Sequence, residues 1–166
     1  ITYRILYLIE KGVPGNEILA VTFTNKAAKE MRERVEKLID TQPHIGRILP
    51  DARPTISTFH SLGVRLLREQ HHVMGLKRHF TIYDRADSLT AIKQALGYGV
   101  KQFEPRKILS HISKAKGDAK TASEYGEGAS SYIERVVRDV WTRYEAILKE
   151  NEALDFDDLL LRTLSM

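Results

Sequence analysis

Two stretches of this sequence pass directly from a short apolar run into a helix start, and no other feature restricts the fold as tightly. Ile18-Leu19-Ala20-Val21-Thr22-Phe23 is continuous in apolar and β-favouring residues. A run that short, without alternation, predicts a strand covered on both faces, as in a parallel sheet. Thr24 and Asn25 follow as natural N-caps. Ala28, Met31, Val35 and Leu38 then recur at helical spacing over Lys26 to Ile39, with Lys, Arg and Glu on the other face. Thr55 to Phe59, followed by a helix expected from about Ser61 to His71, repeats the arrangement. A helix over Thr2 to Glu10, stopped by Lys11-Gly12-Val13-Pro14-Gly15, precedes both. Helix, strand, helix, strand, helix is the order of an open α/β sheet. Phe80-Thr81-Ile82-Tyr83 predicts a third strand, and Asp84 with Asp87 a capped helix start.

Beyond this point the pattern changes. Ala86 to Leu96, Pro105 to Lys116 and Ser130 to Glu150 all read as helices, with no strand between them. In the last of these Ile133, Val136, Val137, Val140, Trp141, Tyr144, Ile147 and Leu148 form one stripe. Asp155, with Asp158 three residues on, opens a final apolar helix. The fold expected is α/β and helix-dominated: a partial parallel sheet over residues 1–84, an all-helical subdomain inserted over 85–151, and a return to the first domain over 152–166.

Composition removes several function classes. The 166 residues include no cysteine, which excludes disulfides, thiol nucleophiles and cysteine-ligated metal, and fits a reducing, cytoplasmic setting. No apolar run approaches the ~20 residues of a membrane helix. Ile1 opens the chain without a signal-like leader, and the apolar group Leu159, Leu160, Leu161 and Leu164 lies just before Met166, as expected of a piece of a longer protein. Net charge is only +4, but it is unevenly spread: +3 over residues 1–69, +4 over 70–150 and −3 over 151–166. Lys101, Arg106, Lys107, Lys114, Lys116 and Lys120 cluster with only Glu104 and Asp118 opposing them. Such a cluster reads either as a solvated helical face or as a surface for phosphates.

In open α/β sheets ligands bind beyond the carboxyl ends of the strands. Two such ends carry chemistry here. Phe23, Thr24, Asn25 and Lys26 place an aromatic, a hydroxyl, an amide and a cation where a helix begins, which suits a polyanion with stacking bases. Thr58, Phe59, His60 and Ser61 repeat the recipe. Two neighbouring strands ending this way would form a groove for one nucleic-acid strand. The same residues also meet the needs of helix caps, with Phe23 and Phe59 as core. No acid or nucleophile is spaced to make His60 a catalytic base or metal ligand, and His71-His72 falls in a polar helix end. Asp155, Asp157 and Asp158 lack the glycine and downstream glutamate of a calcium loop, so capping accounts for them better. The sequence contains no G-x-x-x-x-G-K-[ST], no G-x-G-x-x-G and no G-x-S-x-G, and no catalytic residue is assigned.

Taken together these motifs resemble a known family. Ile18 to Met31 closely resembles motif Ia of the UvrD/Rep/PcrA-like superfamily 1 DNA helicases. Ser57-Thr58-Phe59-His60-Ser61 resembles their next DNA-contacting motif, and Leu154-Asp155-Phe156-Asp157-Asp158-Leu159 the segment before their Walker B strand. The resemblance implies a first RecA-like motor domain carrying a helical insertion, in an ATP-dependent helicase moving 3′ to 5′ along single-stranded DNA. It implies base stacking at Phe23, backbone contacts at Thr24, Asn25 and Lys26, and phosphate contacts at Thr58 and His60, with Ser61 in the same motif. For the basic cluster it implies contact with duplex at a single/double-strand junction. ATP and Mg are implied for the intact protein but none for this chain, since both Walker motifs would lie outside it and the chain alone would be inactive. Gly117 in Ala115-Lys116-Gly117 departs from the Asn of many relatives. Two other readings are the motor of a helicase–nuclease subunit and a non-catalytic DNA-binding module.

Overall fold

A computed structural model of the chain describes residues 1–42, 52–97 and 103–166. The chain divides into two compact units, Ile1–Leu62 and Gly63–Met166. The first unit holds α1 (Thr2–Glu10), β1 (Leu19–Thr22), α2 (Asn25–Asp40), β2 (Thr55–Thr58) and the first turn of α3 (Phe59–Glu69). The strands pair in parallel, with Leu19 opposite Thr55 and Thr22 opposite Thr58. Ile5 and Leu6 of α1, Ala20, Ile56, and Val35 and Ile39 of α2 close a core on the sheet. Arg32 reaches from α2 to donate to the Ile56 carbonyl at 2.6 Å, tying helix to strand. Leu19 remains 53% exposed, so β1 is not covered on both faces as its apolar run predicts; among the described residues its sheet has two strands.

The second unit contains the rest of α3, β3 (Thr81–Tyr83), α4 (Arg85–Leu96), α5 (Pro105–Gly117), α6 (Ala122–Glu127), α7 (Tyr132–Glu150), β4 (Ala153–Asp155) and α8 (Phe156–Leu164). β3 and β4 pair in parallel, forming a sheet distinct from the first. The helices α4 to α7 all lie between these two strands in sequence. Ile92, Ala95, Ile108, Ile112, Val137, Val140, Trp141 and Tyr144 bury together, and the α7 stripe read from the sequence is the seam. A smaller core of Leu67, Phe80, Leu154 and Leu159 joins α3, β4 and α8. There α3 approaches α8 so closely that a Cβ on Gly63 would lie 2.9 Å from Thr163 Oγ1 and 3.0 Å from the Leu159 carbonyl oxygen. Among the described residues no helix is long and apolar enough to cross a membrane.

Besides a single 3-10 turn at Gly15–Glu17, two elements go beyond the sequence reading. α6 spans six residues, too short for periodicity, though Thr121 and Glu124 bracket its start in a capping box. β4 has only three residues and is defined by its pairing with β3, which no local pattern announces.

The start of α7 is held by charge-assisted capping. Glu134 accepts from the Ser131 amide at 2.8 Å and the Ser130 amide at 2.9 Å, and Ser131 Oγ accepts from the Glu134 amide. These bonds, the Ser131 backbone first, hold the Glu134 carboxyl at about 2, well below its ordinary 4.5. A depressed pKa adds stability above the unfolded value and loses it as pH falls toward the folded one. Glu134→Ala is therefore expected to lower the thermal midpoint at pH 7, with the gap to the parent narrowing as pH drops from 4.5 toward 2, as followed by circular dichroism.

Candidate nucleic-acid interface

The first unit assembles its strand ends by register. Since Thr22 faces Thr58 across a parallel pair, the next residues, Phe23 and Phe59, leave the same edge of the sheet side by side. Their ring centroids lie 5.5 Å apart at 44°. Phe23 is 87% exposed and Phe59 42%, so neither is core. Rings exposed in this way offer flat apolar faces on which a planar group can stack.

Each ring is followed by a helix start. Thr24, in extended conformation, caps α2 by accepting from the Ala27 amide at 3.1 Å. Asn25 and Lys26 occupy the first turn, and Thr24, Asn25 and Lys26 are all exposed. Neither α2 nor α3 has an acidic residue in its first turn, so the positive helix ends are not neutralised there. Thr58 is different: it is 5% exposed, its hydroxyl donates to Ser61 Oγ at 2.9 Å and accepts from the Ser61 amide at 3.2 Å. The Thr58 hydroxyl is thus occupied in capping α3, and little of its side chain is exposed. Ser61 stays exposed and His60 half-buried. The exposed set is Phe23, Thr24, Asn25, Lys26 and Ser61, with Phe59 added by ring contact.

The basic cluster belongs to the second unit and loses a member. Arg106, Lys107, Lys114 and Lys120 are exposed, with Lys107 paired to Glu104 at 3.3 Å. Lys101 lies outside the described residues. Lys116 is 2% exposed and points inward, so it does not form part of an exposed surface for duplex DNA. Its Nζ meets Asp158 at 2.7 Å, Glu145 at 2.8 Å and Asp155 at 2.9 Å. Tyr144 donates to Asp155 at 2.9 Å and Trp141 Nε1 to Glu145 at 2.9 Å. Burial works against the Lys116 ammonium, but the attraction of Asp158, Asp155 and Glu145 outweighs it and raises its pKa. With three acids sharing one cation, burial pushes the Asp158 carboxyl up to about 6, aided by Asp155 and Glu145 and opposed by Lys116.

Asp155 and Asp158 also cap α8 reciprocally, as their spacing predicts. Among the described residues no group of His, Asp or Glu is arranged to hold a metal ion. Proximity along the sequence alone grouped Lys116 with the exposed lysines of α5; two residues on from Lys114, it lies on the opposite face of the helix. The apolar neighbours Ile112 and Ala115 were the signal that this turn of the helix faces inward.

Removing one partner of a buried ion cluster leaves uncompensated charge inside. Lys116→Met is expected to destabilise the protein by about 3 to 5 kcal/mol in urea unfolding. By contrast Lys114→Met, on the exposed face of the same helix, is expected to stay within about 0.5 kcal/mol of the parent.

The family profile described as the UvrD/REP helicase N-terminal domain matches residues 1–166 of the chain. An ATP-dependent DNA helicase PcrA of Bacillus subtilis (strain 168) is 43% identical over 171 residues, covering 100% of this chain and 22% of that protein. The same-named protein of Staphylococcus aureus (strain Mu50 / ATCC 700699) is 41% identical over 170 residues, again with 100% and 22% coverage. The chain therefore spans about a fifth of the length of these curated relatives.

Proposed function

The chain belongs to the UvrD/REP helicase family, and from that premise we propose that its first unit supplies part of the single-stranded DNA track of an ATP-dependent DNA motor. The observation that carries this reading is the exposed Phe23 ring, placed with Phe59 at the carboxyl edge of a parallel strand pair. Phe23 offers a face on which a base stacks irrespective of sequence. Beside it Thr24, Asn25 and Lys26 present polar groups and one cation to the backbone, at a helix end that favours phosphate. Ser61 adds a hydroxyl at the second helix start, and His60 is the remaining candidate phosphate contact of that motif. A platform plus backbone grips binds without reading bases, as a motor that steps 3′ to 5′ along any strand requires.

ATP and Mg are proposed for the whole protein and held by residues other than these. The sequence has no glycine-rich phosphate loop, and among the described residues no group of three or more His, Asp or Glu is arranged to hold a metal ion. The nucleotide supplies the free energy for stepping, and this chain's residues contribute the grip on DNA. On the second unit, Arg106, Lys107, Lys114 and Lys120 are proposed to meet phosphates of duplex at a single/double-strand junction, a sequence-independent contact.

In the full-length protein Phe23→Ala is expected to weaken binding to an oligo-dT strand by about 1 to 3 kcal/mol in fluorescence anisotropy. Unchanged affinity and translocation would remove Phe23 from the track. Lys26→Ala is expected to weaken binding evenly across sequences and to reduce the slope of log affinity against log salt by about 0.7. An unchanged slope would remove Lys26 as a phosphate contact.

A further inference from the structure

We propose that Phe59 is a positioning residue for Phe23, holding its ring as a pre-set platform for a DNA base instead of contacting the base itself. The proposal rests on the reading of Phe23 as a base-stacking residue. The geometry points to it in three ways. First, the Thr22–Thr58 pairing fixes the two aromatics as neighbours at the strand ends, so their contact is built into the sheet register. A one-residue slip would destroy it. Second, the centroid separation of 5.5 Å at 44° is already an aromatic pair, which leaves no gap for a base between the rings. A base must therefore use the outer face of the pair, and Phe23 supplies more of it, being 87% exposed against 42%. Third, each ring hangs from a backbone fixed by a cap, Thr24 accepting from Ala27 and Thr58 from Ser61, so the anchor points do not drift.

An exposed phenylalanine with no neighbour samples several rotamers, and binding must then freeze it at a cost in affinity. Contact with Phe59 restricts that choice before DNA arrives. The hydroxyl of Ser61 and the cation of Lys26 grip the backbone whichever way the ring points, so ring orientation is a separate determinant.

The test is a double-mutant cycle in the full-length protein, using an oligo-dT strand carrying a single 2-aminopurine. Affinity, quenching of the 2-aminopurine at saturation, and thermal unfolding are read for Phe59→Leu, Phe59→Tyr, Phe23→Ala and the Phe23→Ala/Phe59→Leu double variant. Phe59→Leu is expected to weaken binding about two- to tenfold, as loss of an aromatic pair implies, and to reduce quenching. Phe59→Tyr, which keeps the ring, retains both, and Phe59→Leu has no further effect once Phe23 is alanine. Equal losses from Phe59→Leu in both backgrounds would show that Phe59 meets DNA on its own and overturn the proposal. So would full affinity and quenching in Phe59→Leu, or loss in Phe59→Tyr with an unchanged thermal midpoint. If Phe23→Ala alone leaves affinity and quenching intact, the stacking reading itself fails and Phe59 has nothing to position. That result comes from a variant in which Phe59 is untouched, so the two failures are distinct.

Discussion

Parallel strand pairing is the constraint from which the geometry of each unit follows. Parallel strands send all their carboxyl ends to one edge, and each connection must start there. In the first unit β1 and β2 both run into helices at that edge, with Thr24 and Thr58 as the caps. In the second, β3 and β4 do the same with Asp84 and Asp155. Every strand end is thus also a capped helix start, and a cap satisfies amide donors that would otherwise be orphaned. The consequence for function is concentration: aromatic rings, hydroxyls and helix dipoles of neighbouring strands gather on one edge without any long-range search.

Within the second unit this edge is bound to the helices by one buried cation. Lys116 of α5 joins Glu145 of α7 to Asp155 and Asp158 at the β4–α8 corner. A charge cluster in the interior is tolerated only if its hydrogen bonds are satisfied, and Tyr144 and Trp141 complete it. Asp158 consequently serves two masters, the Lys116 ammonium and the Asp155 amide of its own capping box, and Asp155 likewise. The acidic excess at the end of the sequence, which by counting alone is a patch of charge, is in large part interior wiring.

Much of the architecture is legible because its signals are local. The apolar period of α2 and α7, the proline at the start of α5 and the carboxylate caps of α4 and α8 each act within about two turns, and the observed elements follow them closely. What escapes is whatever depends on a distant partner. β4 is three residues long and exists through β3, some seventy positions earlier. Lys116 falls on the apolar face of α5, four residues after Ile112, and Lys114 on the opposite one, so helical period separates them; that a cation is tolerated there depends on the acids that arrive from α7 and α8. Thr58 and Thr24 show the same divide at the candidate interface: both cap helices, but only Thr24 remains open to a ligand.

The sequence by itself determined the type and order of nearly all elements, the family, and the two strand-to-helix turns that are proposed to meet a nucleic-acid strand. These rest on residue periodicity, capping chemistry and motif spacing, all written along the chain. Tertiary structure alone decided which of the nominated groups face solvent. It brought Phe23 against Phe59 through strand register, left little of Thr58 exposed, and drew Lys116 inward to three carboxylates. The physical reason is that exposure and pairing are properties of packed neighbours, and a residue's neighbours in space are fixed only when the distant segments have come together.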